Sequence, residues 1–217
     1  MRQVSIKPKP VSVLSDRIAF CKYFEHEPRG PGIPIPRNSI SKHFPSTFDK
    51  RQRAAINDYQ YNRASYTFTH KDRLKTLDLF LQKHANQIKR FADVGPGVIR
   101  GAPTTFDAAK VLPNSEVFAV DIHNFPKDIE VGRVKHLLHA ISKKQLPNPG
   151  TWDAIRFANV SMHMSQSDRR RAIVNIWHSL RDGGYLLGAY TSEYQFVLKK
   201  VTSPKRGWIE VLPPKLS

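Results

Sequence analysis

The sequence predicts an α/β protein built on a doubly wound, mostly parallel sheet. Three observations carry this expectation. The apolar stretch Phe91-Ala92 runs into Asp93-Val94-Gly95-Pro96-Gly97, an acid followed by a Gly-x-Gly turn. A second apolar run, Val117 to Val120, ends in Asp121, 24 residues beyond Gly97. Strand-like and helix-like patterns then alternate to about residue 190, as they do where parallel strands are joined by covering helices. Strand, glycine turn, helix, strand and carboxylate together are the arrangement by which such folds hold an adenosine ribose.

The elements follow in order. Residues 1–48 hold Pro8, Pro10, Pro28, Pro31, Pro34, Pro36 and Pro45 with Gly30 and Gly32. Proline lacks the amide donor and disfavours helix in the residue before it, so this segment reads as an irregular basic arm. The remaining residues, 49–217, read as one domain whose motif core spans 91–192. A short helix is expected over 49–60. Tyr59, Tyr61, Tyr66 and Phe68 stand among Arg51, Arg53, Arg63 and His70, a mixture able to stack bases and hold phosphates, or to cap a pocket or core edge.

Thr69 and Asp72 form a capping-box-like pair. The stripe Leu74, Leu77, Leu81, His84 and Ile88 predicts a helix delivering the chain into a strand at 90–95. His84 on this stripe reads as a packed or edge histidine. Pro103 suits a first helical turn, so 103–112 is expected to be helix. Strands are expected at 116–122, 133–141 and 152–160. Ser165 and Asp168 cap a helix with the stripe Ala172, Ile173, Ile176, Trp177 and Leu180, which Gly183 and Gly184 are expected to stop. A fifth strand follows at 185–190. The 25 residues from 193 onward read as a closing helix at 193–201 and one strand at 208–212, so the sheet is expected to be shortened at this end.

Composition bounds the rest. The chain has 217 residues with 40% apolar content, enough for one substantial core. No apolar run approaches the roughly 20 residues of a membrane helix, so no membrane contact is expected. The N-terminal residues lack the apolar stretch of a secretory signal. Cys21 is the single cysteine, which excludes an internal disulfide and fits a reducing, cytoplasmic location, with mitochondrion and nucleus as lesser alternatives. The net charge is +17. Residues 1–90 hold 18 basic and 7 acidic side chains, whereas residues 91–192 hold 12 and 9. An excess of this size attracts polyanions, RNA above all, or it is a solvated basic surface.

The glycines at 95, 97 and 101 do not fit the dinucleotide spacing, whose third glycine falls one residue earlier. With Asp93 two residues before the first glycine, the sequence resembles the class I S-adenosylmethionine-dependent methyltransferases. The resemblance rests on Asp93-Val94-Gly95-Pro96-Gly97, on Asp121 closing the next strand, and on a later series. That series runs Trp152-Asp153-Ala154-Ile155, Asn159-Val160, His163 and Leu180-Arg181-Asp182-Gly183-Gly184-Tyr185-Leu186-Leu187. It implies a Rossmann-like methyltransferase fold and S-adenosyl-L-methionine as cofactor.

On that resemblance the cofactor-binding residues are Asp93, Gly95, Gly97, Asp121, Ile122, His139, Ala140 and Asn159. Gly95 and Gly97 let backbone approach the cofactor without a Cβ. Asp121 accepts both ribose hydroxyls. Asp93 organises the turn near the cofactor's amino end. His139-Ala140 stand where the family often places an Asp beside the adenine amino group, and Asn159 stands at the cofactor and acceptor cleft.

The acceptor is less legible. No Asn/Asp-Pro-Pro-aromatic tetrapeptide follows the fourth strand, which argues against typical methylation of exocyclic base amines. No cysteine lies near the cleft, and Asp153 begins its strand at the wrong end for a ribose-methylating set. His163 is the candidate base. Basic charge points to RNA or another anionic acceptor. The Asn159-Val160-Ser161-Met162-His163-Met164 segment points instead to a small molecule. An inactive methyltransferase-fold protein that binds RNA or a complex is the third reading, and a dinucleotide oxidoreductase the fourth.

Overall fold

Strands covered by other elements on both faces must be apolar almost throughout, and the central strands meet that condition. The computed structural model describes residues 13–15, 19–25, 74–98, 102–125, 132–161, 164–189, 194–203 and 205–212. In chain order they form β1 (Val13–Leu14), a π-helical turn (Cys21–Glu25), α1 (Lys75–Lys83), β2 (Arg90–Val94) and α2 (Pro103–Val111). Then come β3 (Glu116–Asp121), β4 (Lys135–Leu138), β5 (Trp152–Ala158), α3 (Gln166–Ser179), β6 (Leu180–Ala189), β7 (Gln195–Val201) and β8 (Gly207–Leu212).

The strands make one sheet in the order β1-β8-β7-β6-β5-β2-β3-β4. β4, β3, β2, β5 and β6 run parallel, whereas β7, β8 and β1 each pair antiparallel with their neighbours. From β2 the chain winds outward through β3 to β4, then returns across β2 to β5 and β6. The expected doubly wound, mostly parallel sheet is therefore present, and its switch point lies between β2 and β5.

Strand periodicity sends alternate residues to opposite faces. On β2, Ala92 and Val94 join one core with Ile173, Ile176 and Trp177 of α3. Phe91 joins the other, with Leu77 and Leu81 of α1 and Ala108 of α2. α3 starts as expected: Ser165 accepts the Asp168 amide at its N-cap. His84 caps α1 and stacks on Phe80 at 4.3 Å and Tyr185 at 5.5 Å, a packed histidine.

Three expectations are corrected. Residues 195–201 are strand β7, not a closing helix. Phe196 and Leu198 enter one core and Val197 the other, so both faces of this segment are covered. What is shortened is the connection: β6, β7 and β8 form an antiparallel meander, and the sheet reaches eight strands. Second, α3 ends at Ser179, and Gly183 and Gly184 lie inside β6. Long-range donors close the helix instead. The Gly150 amide reaches the carbonyls of His178 and Ser179, each at 2.9 Å. The buried Lys200 ammonium reaches those of Trp177 at 2.8 Å and Leu180 at 2.7 Å. Gly184 is needed for close approach between strands, since a Cβ there would press on the Trp152 and Asp153 carbonyls of β5 at 3.0 and 3.1 Å. Third, β4 is shorter than the expected 133–141, with Val134 and Ile141 buried just beyond its ends.

Part of the segment read as an irregular arm belongs to this architecture. β1 pairs Val13 with Ile209 and Leu14 with Trp208. Tyr23 and Phe24 are buried, with Tyr23 4.4 Å from Phe196. The Lys22 ammonium and the Tyr23 hydroxyl both reach Glu210, the former at 2.6 Å. The rest of 1–48, the expected helix at 49–60, the aromatic and arginine cluster at 51–70 and the Thr69/Asp72 pair lie outside the described residues. No helix among the described residues is long and apolar enough to cross a membrane.

Gly188 of β6 faces Phe196 so closely that a Cβ at 188 would overlap the ring. That ring is fully buried beside Tyr23 and Phe24 and has nowhere to move. Gly188→Ala is expected to destabilise the domain by about 1–3 kcal/mol through overpacking. Denaturant unfolding of both proteins measures this, and equal midpoints would contradict it.

Candidate functional site

In open α/β sheets ligands bind at the carboxyl ends of the parallel strands, where the winding reverses. Here that crevice lies between β2 and β5, and the expected site residues collect around it. Gly95 and Gly97 follow β2 with φ of +66° and +73°. A Cβ on Gly95 would lie 2.6 Å from Val160 Cγ2, so the turn is pressed against the chain leaving β5. The Gly95 amide donates to the Val120 carbonyl at 2.7 Å, which fastens the turn to β3.

Asp121 ends β3 and is almost fully buried. Its Oδ2 accepts the Val98 amide at 3.3 Å and its Oδ1 accepts the His123 amide at 3.1 Å. A carboxylate has about four acceptor positions, so two weak amide bonds leave room for two hydroxyls. Ile122, directly after it, is 61% exposed, an apolar side chain facing solvent beside a buried acid.

His139 begins the next loop and its amide donates to the Asp121 carbonyl at 2.7 Å. Its ring is buried, with Nε2 3.0 Å from the Lys144 carbonyl. A carbonyl can only accept, so this contact places the proton on Nε2 and leaves Nδ1 an acceptor in the neutral ring. Ala140 lies next to it and is half-buried. Asn159 follows β5 in the left-handed region, φ +58°, with its amide on the Ala189 carbonyl at 2.7 Å. Gly95, Gly97, Asp121, Ile122, His139, Ala140 and Asn159 therefore share one end of the sheet. His163 lies outside the described residues. Asp153 sits at the opposite end, as its place in the sequence implied, and accepts the Lys89 and Arg90 amides, each at 2.8 Å.

Asp93 has a role that the sequence did not disclose. Arg156 of β5, fully buried, grips both of its oxygens, Nε to Oδ1 at 2.9 Å and Nη2 to Oδ2 at 2.6 Å. Thr104 and Thr105, in the first turn of α2, each donate a hydroxyl to Oδ2 at 2.8 Å. Arg156 also donates to the Thr104 carbonyl at 2.5 Å and to Asp78 of α1 at 2.9 Å. One guanidinium thus ties α1, β2, α2 and β5 together directly beneath the glycine turn. The register makes this possible, since Asp93 and Arg156 are direct partners in the β2–β5 ladder.

This network holds two carboxylates and one cation. Burial alone would lower the Arg156 pKa, but the charges and hydrogen bonds of Asp93 and then Asp78 outweigh it and raise it above its ordinary value. The Asp78 pKa is also raised: burial lifts its carboxyl above the usual range, and Arg156 only partly offsets this because Asp93 and Asp107 add repulsion. A single guanidinium already matched by Asp93 does not fully neutralise a second, half-buried acid as well.

Neither Arg156 nor Asp78 was expected to matter. The available signal was an arginine inside the apolar run Ala154-Ile155-Arg156-Phe157-Ala158, because a buried charge requires a buried counter-charge. Which acid answers it depends on strand register. Among the described residues no group of three or more His, Cys, Asp or Glu is placed to hold a metal ion.

No family model and no curated protein sequence matches the chain. Several solved structures resemble it. One is the Burkholderia thailandensis 1,6-didemethyltoxoflavin-N1-methyltransferase bound to S-adenosylhomocysteine, with 18% identity, 78% of this chain and 72% of that one covered, and TM-score 0.44. Another is human N-acetylserotonin methyltransferase with S-adenosylmethionine, at 16%, 62% and 37%, TM-score 0.44. A third is an O-methyltransferase of a Brevibacillus brevis polyketide multienzyme with S-adenosylhomocysteine, at 20%, 68% and 50%, TM-score 0.44. The chain spans half or less of the length of the latter two. At such scores, what this chain does has to be read from its own strand order and site.

Because the fold raises the Asp78 pKa, its protonated form is the one the folded state favours. The associated stability is present below the ordinary carboxyl value of about 4 and is lost as pH rises through the raised folded value. Asp78→Asn keeps an acceptor for Arg156 and cannot ionise. Its stability relative to the parent is expected to rise from pH 4 upward and then level off. Denaturant unfolding of both proteins from pH 4 to 7 tests this, and a pH-independent difference would contradict it.

Proposed function

We propose that this chain is an S-adenosylmethionine-dependent methyltransferase whose acceptor is a small molecule with an apolar portion. The observation that carries the cofactor reading is Asp121. It is a buried carboxylate with spare acceptor positions at the carboxyl end of β3, bonded to the Val98 amide just past the glycine turn. The chain's residues fit the cofactor: Asp121 takes the ribose hydroxyls, Ile122 lies along the adenine, and His139 Nδ1 accepts from the adenine amino group. The turn from Gly95 to Gly97 brings bare backbone to the methionine portion. The cofactor supplies a methyl group on a sulfonium, and what the protein adds is orientation of the acceptor for in-line attack.

The acceptor reading rests on the apolar residues that follow β5 and precede β7. Val160, Met164 and Tyr194 are partly buried against a cluster that contains Phe20, Phe24 and Phe157. Residues of this kind beside the proposed site suit an apolar or aromatic acceptor better than a phosphate backbone. The net charge of +17 supports RNA as a second reading. The arginines and aromatics at 51–70 that would contact it lie outside the described residues.

Calorimetric titration with S-adenosylhomocysteine, and with NAD in parallel, tests the cofactor. Micromolar binding of the former alone is expected, and binding of NAD alone would overturn the reading. Binding of neither would favour a cofactor-free binding module. Labelled cofactor offered with aromatic small molecules and with RNA then separates the two acceptor classes. Asp121→Asn, which keeps the shape and one of the two oxygens that accept the Val98 and His123 amides, is expected to weaken S-adenosylhomocysteine by about 1–3 kcal/mol, the scale of a lost charged acceptor. Unchanged affinity would remove the ribose role. His163, four residues past Asn159, remains the proposed base. His163→Ala is expected to lower turnover and spare cofactor affinity; undiminished turnover would exclude it.

A further inference from the structure

We infer that Arg156 is the positioning residue of the cofactor turn, and that Asp93 serves this device rather than touching the cofactor itself. The inference rests on the cofactor reading above.

Asp93 stands where the resemblance places an acid near the cofactor's amino end. Its surroundings leave it little capacity for that contact. It is 2% exposed. Arg156 takes both oxygens side-on, and the hydroxyls of Thr104 and Thr105 take two further positions on Oδ2. Three donors crowd Oδ2 and one occupies Oδ1, so at most one acceptor position remains, on an oxygen that is itself buried. Its charge is likewise matched at close range by a guanidinium, so little field remains to attract an ammonium group.

The same bonds explain what the turn needs. Gly95 and Gly97 both occupy positive φ, where little intrinsic preference holds a chain in place. Support must come from either side of the turn. On one side Asp93 is clamped to β5 through Arg156. On the other, the first turn of α2 is clamped to Asp93 by Thr104 and Thr105, and to Arg156 by the Thr104 carbonyl. The glycine turn is thus flanked by two points fixed to one guanidinium. Planar, forked geometry is required for this, which lysine cannot reproduce.

The test uses the full chain and reads two quantities. One is the dissociation constant for S-adenosylhomocysteine. The other is amide hydrogen exchange at Gly95, Gly97 and Val98, which reports the turn whether or not a cofactor binds. Arg156→Lys keeps the charge but not the fork. It is expected to lose protection at these amides and to bind about tenfold more weakly, the size of coupling usual within one hydrogen-bond network. Thr105→Val, a milder change of similar shape, is expected to move both readouts in the same direction and serves if Arg156→Lys does not fold.

The decisive comparison is Asp93→Asn against Asp93→Asn/Arg156→Gln. The single variant leaves a buried guanidinium short of its anion. The double variant removes the uncompensated charge without restoring the fork, and it is expected to regain part of the protection and to bind several-fold more tightly than the single, within the range of such couplings. If the double binds no better than the single while regaining protection, Asp93 contacts the cofactor directly and the inference fails. Full protection and full affinity in both Arg156→Lys and Thr105→Val would also overturn it. If the parent protein binds no S-adenosylhomocysteine, the cofactor reading fails, and the exchange data alone decide whether Arg156 holds the turn.

Discussion

A guanidinium buried without an anion costs several kcal/mol, and this domain buries a guanidinium at its centre with its anions built in around it. Arg156 sits on the middle of the sheet, and every group around it is arranged to meet its donors. Asp93 meets it from the neighbouring strand, Asp78 from α1 and the Thr104 carbonyl from α2. The four elements it joins are the ones that frame the switch point. Helices on this face rest on apolar contact, which is non-directional, and on a few directed bonds, among them the Leu77 amide on Gln195 and Arg133 on the carbonyls that end α2. The directed bonds of Arg156 join these two helices to β2 and β5 where the glycine turn starts and where α2 begins.

The site is assembled from backbone as much as from side chains. Asp121 holds the amides of Val98 and His123, and its own carbonyl holds the amide of His139. Three successive strand ends are therefore connected through a single residue. The proposed ribose acceptor is at the same time the clasp between the loops after β2, β3 and β4. An acid in that position is preorganised, because the amides that orient it belong to the sheet's own rim.

The far side of the sheet solves a different problem. The last strands have too few residues for a crossover helix, so β6, β7 and β8 fold back on each other directly. The exposed edge this leaves at β8 is covered by β1, drawn from the N-terminal segment, and anchored by Lys22 and Tyr23 on Glu210. Lys200, which has burial pushing its pKa down, is held by the carbonyls that end α3. Sequence-distant donors thus finish a helix whose C-cap, Leu180, supplies only its own amide to the Ile176 carbonyl.

Much of this was legible before any coordinate. The class of fold, β2 through β6 and the site end of the sheet followed from apolar runs ending in Asp93, Asp121 and Asn159, because strand period and glycine turns are local properties of the chain. The errors share one cause. Residues 195–201 read as helix because Gln195-Phe196-Val197-Leu198-Lys199-Lys200-Val201 suits either element when taken alone. Only burial on both faces between β6 and β8 decides for strand. Gly183 and Gly184 read as a helix stop because glycine often is one, yet close approach to β5 is what demands Gly184 here. The sequence by itself determined which residues stand at the carboxyl ends of the strands. The partner of Asp93 was decided only by tertiary structure, since it depends on how β2 and β5 align, 63 residues apart. Register is a property of two strands together, and neither strand carries it alone.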